Sequence, residues 1–137
     1  MLTILISDDE PCNVSSLARI ARRKGYRVIA DEVSDVVALA ANEHPDVILL
    51  DLLQRVYGGE LLRRLKVDAA TRDVPVWVMS GYVNREIEES CARLGAERFL
   101  VKPFDAMVEF DRLPGRPAVA DGRAAAYRDS LTLPVGG

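Results

Sequence analysis

Histidine and cysteine are scarce in this 137-residue chain, which carries one of the former and two of the latter. Cys12 and Cys91 stand far apart without CxxC spacing, and His44 has no ligating neighbour in sequence. A zinc centre is therefore not expected, and a reducing compartment fits. Positive charge is also in short supply: 18 Lys and Arg against 21 Asp and Glu leave a net charge of −3. No sequence-wide basic field exists to hold a nucleic-acid backbone, so direct DNA binding is not expected. No segment approaches the roughly 18 consecutive apolar residues of a membrane span. The opening MLTILISDDE lacks the basic leader and length of a signal peptide, which sets the expectation of a cytoplasmic protein. No internal repeat is evident.

What remains is a globular composition, 49% hydrophobic and 28% charged, at a length that suits one domain. Short runs rich in Leu, Ile and Val recur at Leu2 to Ile6, Tyr26 to Ala30, Asp46 to Leu50, Val74 to Met79 and Arg98 to Val101. Their apolar residues are consecutive instead of alternating, the pattern of strands buried on both faces of a parallel sheet.

Segments with helical spacing separate the runs. Val14, Leu17, Ala18 and Ala21 follow i, i+3, i+4, i+7, with Pro11 near the start and Gly25 at the end. A second helix is expected from Ser34, as N-cap, to the residue before Pro45. Leu61, Leu62 and Leu65 mark a third after Gly58 and Gly59, and Val83, Ile87, Cys91 and Leu94 a fourth closed by Gly95. A fifth begins after Asp105 with Met107, Val108 and Phe110, but Pro114, Gly115 and Pro117 curtail it. The expectation is one doubly wound α/β domain over residues 1–113, with an atypical fifth helix. Residues 114–137 are expected to form a tail, irregular or with a short helix, and no output domain.

In open parallel sheets, ligands bind outside the carboxyl ends of the strands, where strand order reverses. Asp8 and Asp9 follow the first apolar run, Asp51 the third, Ser80 and Gly81 the fourth, Lys102 and Pro103 the fifth. Three carboxylates, a hydroxyl and an ammonium thus meet at one edge. Clustered carboxylates repel unless a proton or cation is shared among them. A hard ion such as Mg²⁺ (or Mn²⁺) supplies that charge while keeping waters and phosphate oxygens in its shell. Lys102 suits a phosphate oxygen, Ser80 can donate to another, and Gly81 leaves room for the group to enter.

The stretches LTILISDDEP, VILLDLLQRVYGGELLRRL, VPVWVMSGY and GAERFLVKPF resemble the successive signatures of the response-regulator receiver family, over residues 2 to about 113. The resemblance implies a flavodoxin-like, chemotaxis-regulator-like fold with strand order 2-1-3-4-5. It implies Asp51 as phosphoacceptor, Asp9 as a direct metal ligand, Asp8 as a ligand through water, and the carbonyl of Leu53 as a further ligand. Ser80 and Lys102 would contact the phosphoryl group. Phe99 would be the aromatic whose rotamer follows activation, and Leu53 and Tyr82 would flank the approach of water. Trp77 and Tyr57 read as packing residues, and His44 as structural or surface.

The chain departs from the family pattern in places. Arg55 stands where proline is usual, Ser80 where Thr is also common, and Phe99 where Tyr is frequent, which rules out a phenol-based switch. The resemblance implies a phosphorylation switch that is not an enzyme beyond its own phosphorylation and dephosphorylation. A histidine kinase or phosphotransfer protein would load it, and output would pass by protein contact or phosphorelay to a downstream protein the sequence does not name. Oligomeric state, including a homodimer, stays open. Two rivals are a constitutive protein-binding pseudo-receiver, motivated by Arg55 and the short fifth helix, and an FMN-binding flavodoxin-like protein. The second fares poorly, because SDDEPCN puts two carboxylates where a flavin phosphate needs donors.

Overall fold

The apolar runs form five strands, β1 (Thr3–Ser7), β2 (Arg27–Asp31), β3 (Val47–Asp51), β4 (Val76–Ser80) and β5 (Arg98–Val101). They come from a computed structural model that describes residues 2–31, 35–54 and 57–113. All pair in parallel, in the order β2-β1-β3-β4-β5. Every residue of β1, β3 and β4 is buried, which explains why their apolar residues run consecutively instead of alternating.

Each of the first four strands ends one residue later than its apolar run. The ladder continues through the polar residue that follows: Ser7 pairs with Leu50, Asp51 with Met79, and Ser80 with Val101. Asp51 and Ser80 are consequently strand residues, held by sheet hydrogen bonding and not by loop conformation.

Helix α1 (Pro11–Arg23) buries Val14, Ala18 and Ala21 with Leu17 partly covered, and the chain then turns at Gly25 with φ +90°. Helix α2 (Val36–Glu43) is capped by Asp35, whose carboxylate accepts from the amides of Val37 and Ala38. The cap expected at Ser34 thus falls one residue later, and Ser34 itself lies outside the described residues. His44 ends this helix in the left-handed region, exposed, just before Pro45.

Helix α3 (Gly58–Val67) buries Leu61, Leu62 and Leu65. In α4 (Arg85–Arg93) the side chain of Asn84 accepts from the Ile87 amide and starts the helix, so Val83 precedes it and is exposed instead of joining its stripe. Trp77 is buried as expected; Tyr57 is instead half exposed, its ring lying over Gly59.

The fifth helix is as short as the sequence implied: α5 (Ala106–Glu109) is one turn, followed by a 3-10 turn (Phe110–Arg112). Four contacts fasten this brief element. Phe110 is fully buried, and the Tyr26 hydroxyl donates to its carbonyl. Arg98 pairs with Glu109 at 2.6 Å while lying over the Trp77 ring, and Lys24 pairs with Asp111 at 2.6 Å. Burial lowers the Arg98 guanidinium to about 10, which still leaves it charged. Pro114, Gly115, Pro117 and the rest of the tail lie outside the described residues.

Two cores sandwich the sheet. Ile4, Ile6, Leu49 and Met79 face α1 and α5, while Leu5, Ile48, Leu50 and Val78 face α2, α3 and α4. Strand order reverses between β1 and β3, so their carboxyl ends frame a crevice. Among the described residues no helix is long and apolar enough to cross a membrane.

Candidate functional site

At that crevice the carboxylates of Asp8, Asp9 and Asp51 lie within 4.8 Å of one another. Asp8 is fully buried, Asp51 is 6% exposed, and Asp9 is exposed. Asp8 accepts from the Glu10 amide at 2.9 Å and from Asn13 Nδ2 at 3.4 Å. Lys102 enters from the end of β5, with Nζ 3.1 Å from Asp8 Oδ2 and 3.4 Å from Asp51 Oδ1. The following Pro103 is joined by a cis peptide bond.

Burial pushes the Asp51 carboxyl up to about 6; the charge of Asp8 pushes the same way and Lys102 opposes both. Asp8 and Asp51 share the Lys102 ammonium, and three carboxylates this close repel one another unless a proton or cation is shared among them. An all-oxygen donor set with one open side fits a hard divalent cation that retains waters. The residues that could hold it are Asp8, Asp9 and Asp51.

Ser80 is buried at the end of β4, and its hydroxyl is engaged. It donates to the Tyr82 carbonyl at 2.7 Å and accepts from the Tyr82 amide at 3.1 Å. Gly81 is exposed, and a Cβ there would meet only Lys102 Cβ, at 4.0 Å. Leu53 and Tyr82 stand on the rim, 57% and 60% exposed. Phe99 is half buried in β5, packed against the core beneath α3 and α4. Arg55 lies outside the described residues.

Two site residues escaped the sequence reading. Gln54 donates from Nε2 to the Asp51 carbonyl at 2.8 Å and also reaches Ser7, with Nε2 3.4 Å from its carbonyl and 3.3 Å from its Oγ. A signal was present: Ser7 is a polar residue closing an otherwise apolar strand, and a buried hydroxyl needs a partner. Gly58 packs so tightly on β3 that a Cβ would lie 2.6 Å from the Asp51 carbonyl oxygen.

Residues 4–111 match the sequence model of the response regulator receiver domain. Protein PilH of Pseudomonas aeruginosa is 35% identical over 107 residues, 77% of this chain and 88% of that protein. The phosphate regulon transcriptional regulatory protein PhoB of the same organism is 34% identical over 74% of this chain, which spans only 45% of that longer protein. Among solved structures, the chemotaxis protein CheY4 of Vibrio cholerae superposes with TM-score 0.75 at 22% identity, over 82% of this chain and 98% of that one. A response regulator from Burkholderia pseudomallei, solved with a phosphorylated aspartic acid and a calcium ion, gives TM-score 0.78 at 24% identity, over 98% of this chain and 75% of that one.

Proposed function

The chain belongs to the response-regulator receiver family of two-component signalling, and we propose that it is a phosphorylation switch whose acceptor is Asp51. The observation that carries this reading is the Asp8–Asp9–Asp51 cluster with Lys102 bridging two of its members. Receiver domains take their phosphoryl group from histidine kinases or phosphotransfer proteins, and a phosphohistidine of such a partner is the donor proposed here. The receiver unit is taken as residues 1–113, held in the cytoplasm, with output through protein contact or onward transfer.

An Asp51 oxygen attacks phosphorus in line, a P–O bond forms as the P–N bond to the donor imidazole breaks, and the carboxylate becomes an acyl phosphate. Asp9, Asp51 and the Leu53 carbonyl, with Asp8 through water, would hold a Mg²⁺ (or Mn²⁺), which would supply positive charge to offset that of the transferring group. Lys102 already lies 3.4 Å from Asp51 and turns its ammonium from the carboxylates to a phosphoryl oxygen. The Ser80 hydroxyl gives up the Tyr82 carbonyl to donate to a second oxygen, which releases the loop after β4. Phe99, on the neighbouring strand, is the aromatic proposed to follow that movement.

Incubation with Mg²⁺ and acetyl phosphate, followed by intact mass, tests the reading. The wild type should gain one phosphoryl group and Asp51→Asn none. Equal labelling of the variant would remove Asp51 from the role, and an unlabelled wild type would favour a constitutive binding module.

A further inference from the structure

Gln54 lies three residues beyond Asp51, in the turn between β3 and α3, and its side chain points back to the sheet. Its amide nitrogen donates to the Asp51 carbonyl at 2.8 Å and lies 3.4 Å from the Ser7 carbonyl, while Ser7 Oγ sits 3.3 Å from Nε2 and 3.5 Å from Oε1. Ser7 is 1% exposed and immediately precedes Asp8. One side chain therefore bridges the acceptor residue itself and the residue that leads into the acidic pair.

A second contact grips the same backbone from the other side. The Gly58 amide donates to the Leu52 carbonyl at 2.8 Å, and a Cβ at Gly58 would lie 2.6 Å from the Asp51 carbonyl oxygen. The Asp51 carbonyl is thus enclosed between the Gln54 amide and the start of α3. Strand pairing holds β1 and β3 side by side only as far as Ser7 and Leu50; at that point Gln54 ties the two backbones together, while Lys102 reaches the side chains of Asp8 and Asp51 from the end of β5.

We propose that Gln54 is a positioning residue for phosphoryl transfer. It locks the backbone of Asp51 to the end of β1, so that the spacing between the Asp51 carboxylate and those of Asp8 and Asp9 is fixed before a cation or phosphodonor arrives. This rests on the reading of Asp51 as acceptor. Pre-set spacing matters because a cation held by several carboxylates, and an in-line attack on phosphorus, both lose when one oxygen is free to wander. The rival role is confined to stability: Gln54 would merely satisfy the buried Ser7 hydroxyl.

The test compares wild type, Gln54→Met, Ser7→Ala and the double variant, since methionine keeps the unbranched length and donates nothing. Thermal melting reports the fold, NMR shifts of the Leu52 and Gly58 amides during Mg²⁺ titration report cation affinity, and intact mass reports labelling at saturating Mg²⁺. With melting still cooperative, Gln54→Met should bind Mg²⁺ about 5-fold more weakly, the loss of one well-placed hydrogen bond. It should also label more slowly at saturating Mg²⁺. Ser7→Ala should shift affinity in the same direction by less, and the double variant should lose less than the product of the two. Wild-type Mg²⁺ affinity and labelling in Gln54→Met overturn the proposal; if that variant does not fold, wild-type affinity in Ser7→Ala overturns it. A wild type that binds Mg²⁺ and takes no phosphoryl group would sink the acceptor reading alone, because the affinity comparison still measures the clamp.

Discussion

Gly58 approaches Asp51 so closely that a Cβ on the glycine would stand 2.6 Å from the aspartate's carbonyl oxygen. The same Cβ would lie 2.6 Å from Leu52 Cα, and neither obstacle is a flexible side chain that could swing away. Gly58→Ala should therefore cost about 1–3 kcal/mol, typical of overpacking against a rigid neighbour and larger than any helix-propensity gain at this terminal position. Gly81→Ala is the control: its Cβ would meet only Lys102 Cβ at 4.0 Å, and it should change stability by no more than about 0.5 kcal/mol. Urea unfolding of the two variants decides this, and equal stabilities would refute the close approach.

The Asp51 carboxyl, pushed from 3.8 up to about 6 in the folded chain, makes stability depend on pH. Between those values the folded protein binds more protons than the unfolded one, so the contribution of Asp51 favours folding in acid. It is lost as pH rises through about 6. The unfavourable term at pH 7 is on the order of 1–3 kcal/mol in the absence of divalent cation. Glu60, held low by Arg63 and Arg64, titrates in the opposite sense, so the difference between variants is the diagnostic quantity. Asp51→Asn should melt higher than wild type at pH 7 in chelator, with the gap closing toward pH 4.5. A constant gap across that range would contradict the burial argument.

Much of the site was legible because chemistry-bearing residues follow apolar runs, and a parallel sheet carries all such endpoints to one edge. Asp8, Asp51, Ser80 and Lys102 could be located that way, whereas the strand boundaries could not. Hydrophobicity stops at Leu50 and Met79, while the ladder runs on through Asp51 and Ser80. Val83 has the spacing of a helix face but stands outside α4, since Asn84 supplies a stronger local signal by capping Ile87. The short α5 was readable from Pro114 and Gly115, but its fastenings were not. Lys24, Tyr26 and Arg98 reach it from elements 84 or more residues away in two of the cases, and no local pattern encodes such partners. Gln54 was missed for the same reason: its meaning depends on Ser7, 47 residues earlier.

The two acids of the pair should differ in their effects. Asp8 is buried and engaged by Lys102, the Glu10 amide and Asn13, while Asp9 is the exposed member of the cluster and, by the family pattern, the one proposed to meet the ion directly. Asp9→Asn should weaken Mg²⁺ binding by about 10-fold or more, equivalent to at least about 1.4 kcal/mol, and by more than Asp8→Asn does. Asp8→Asn should instead show its largest effect on Asp51, whose carboxyl loses a repelling neighbour and falls toward its ordinary value. Calorimetric titration with Mg²⁺ and carboxyl ¹³C NMR separate these outcomes. If neither substitution weakens Mg²⁺, the cluster is not a cation site.

The phosphorylated form should be long-lived for its class, for a reason found on the rim. An acyl phosphate on Asp51 is lost when water attacks phosphorus in line, so its lifetime depends on whether a neighbour orients that water or excludes it. Leu53 and Tyr82 occupy the rim, and Leu53 has no group that could hydrogen-bond water. In the unphosphorylated chain Tyr82 is 60% exposed, and its backbone is pinned at both amide and carbonyl by the Ser80 hydroxyl. If Ser80 turns to a phosphoryl oxygen as proposed, that pin is lost and the ring can settle over the phosphoryl group. Leu53→Asn should speed phosphoryl loss about 10-fold, or about 1.4 kcal/mol of barrier, and Tyr82→Ala should act in the same direction. Decay is followed by intact mass after the donor is removed. A Leu53→Asn effect without a Tyr82→Ala effect would mean that the ring stays in solvent throughout, and no effect from either would mean that these side chains do not govern the access of water.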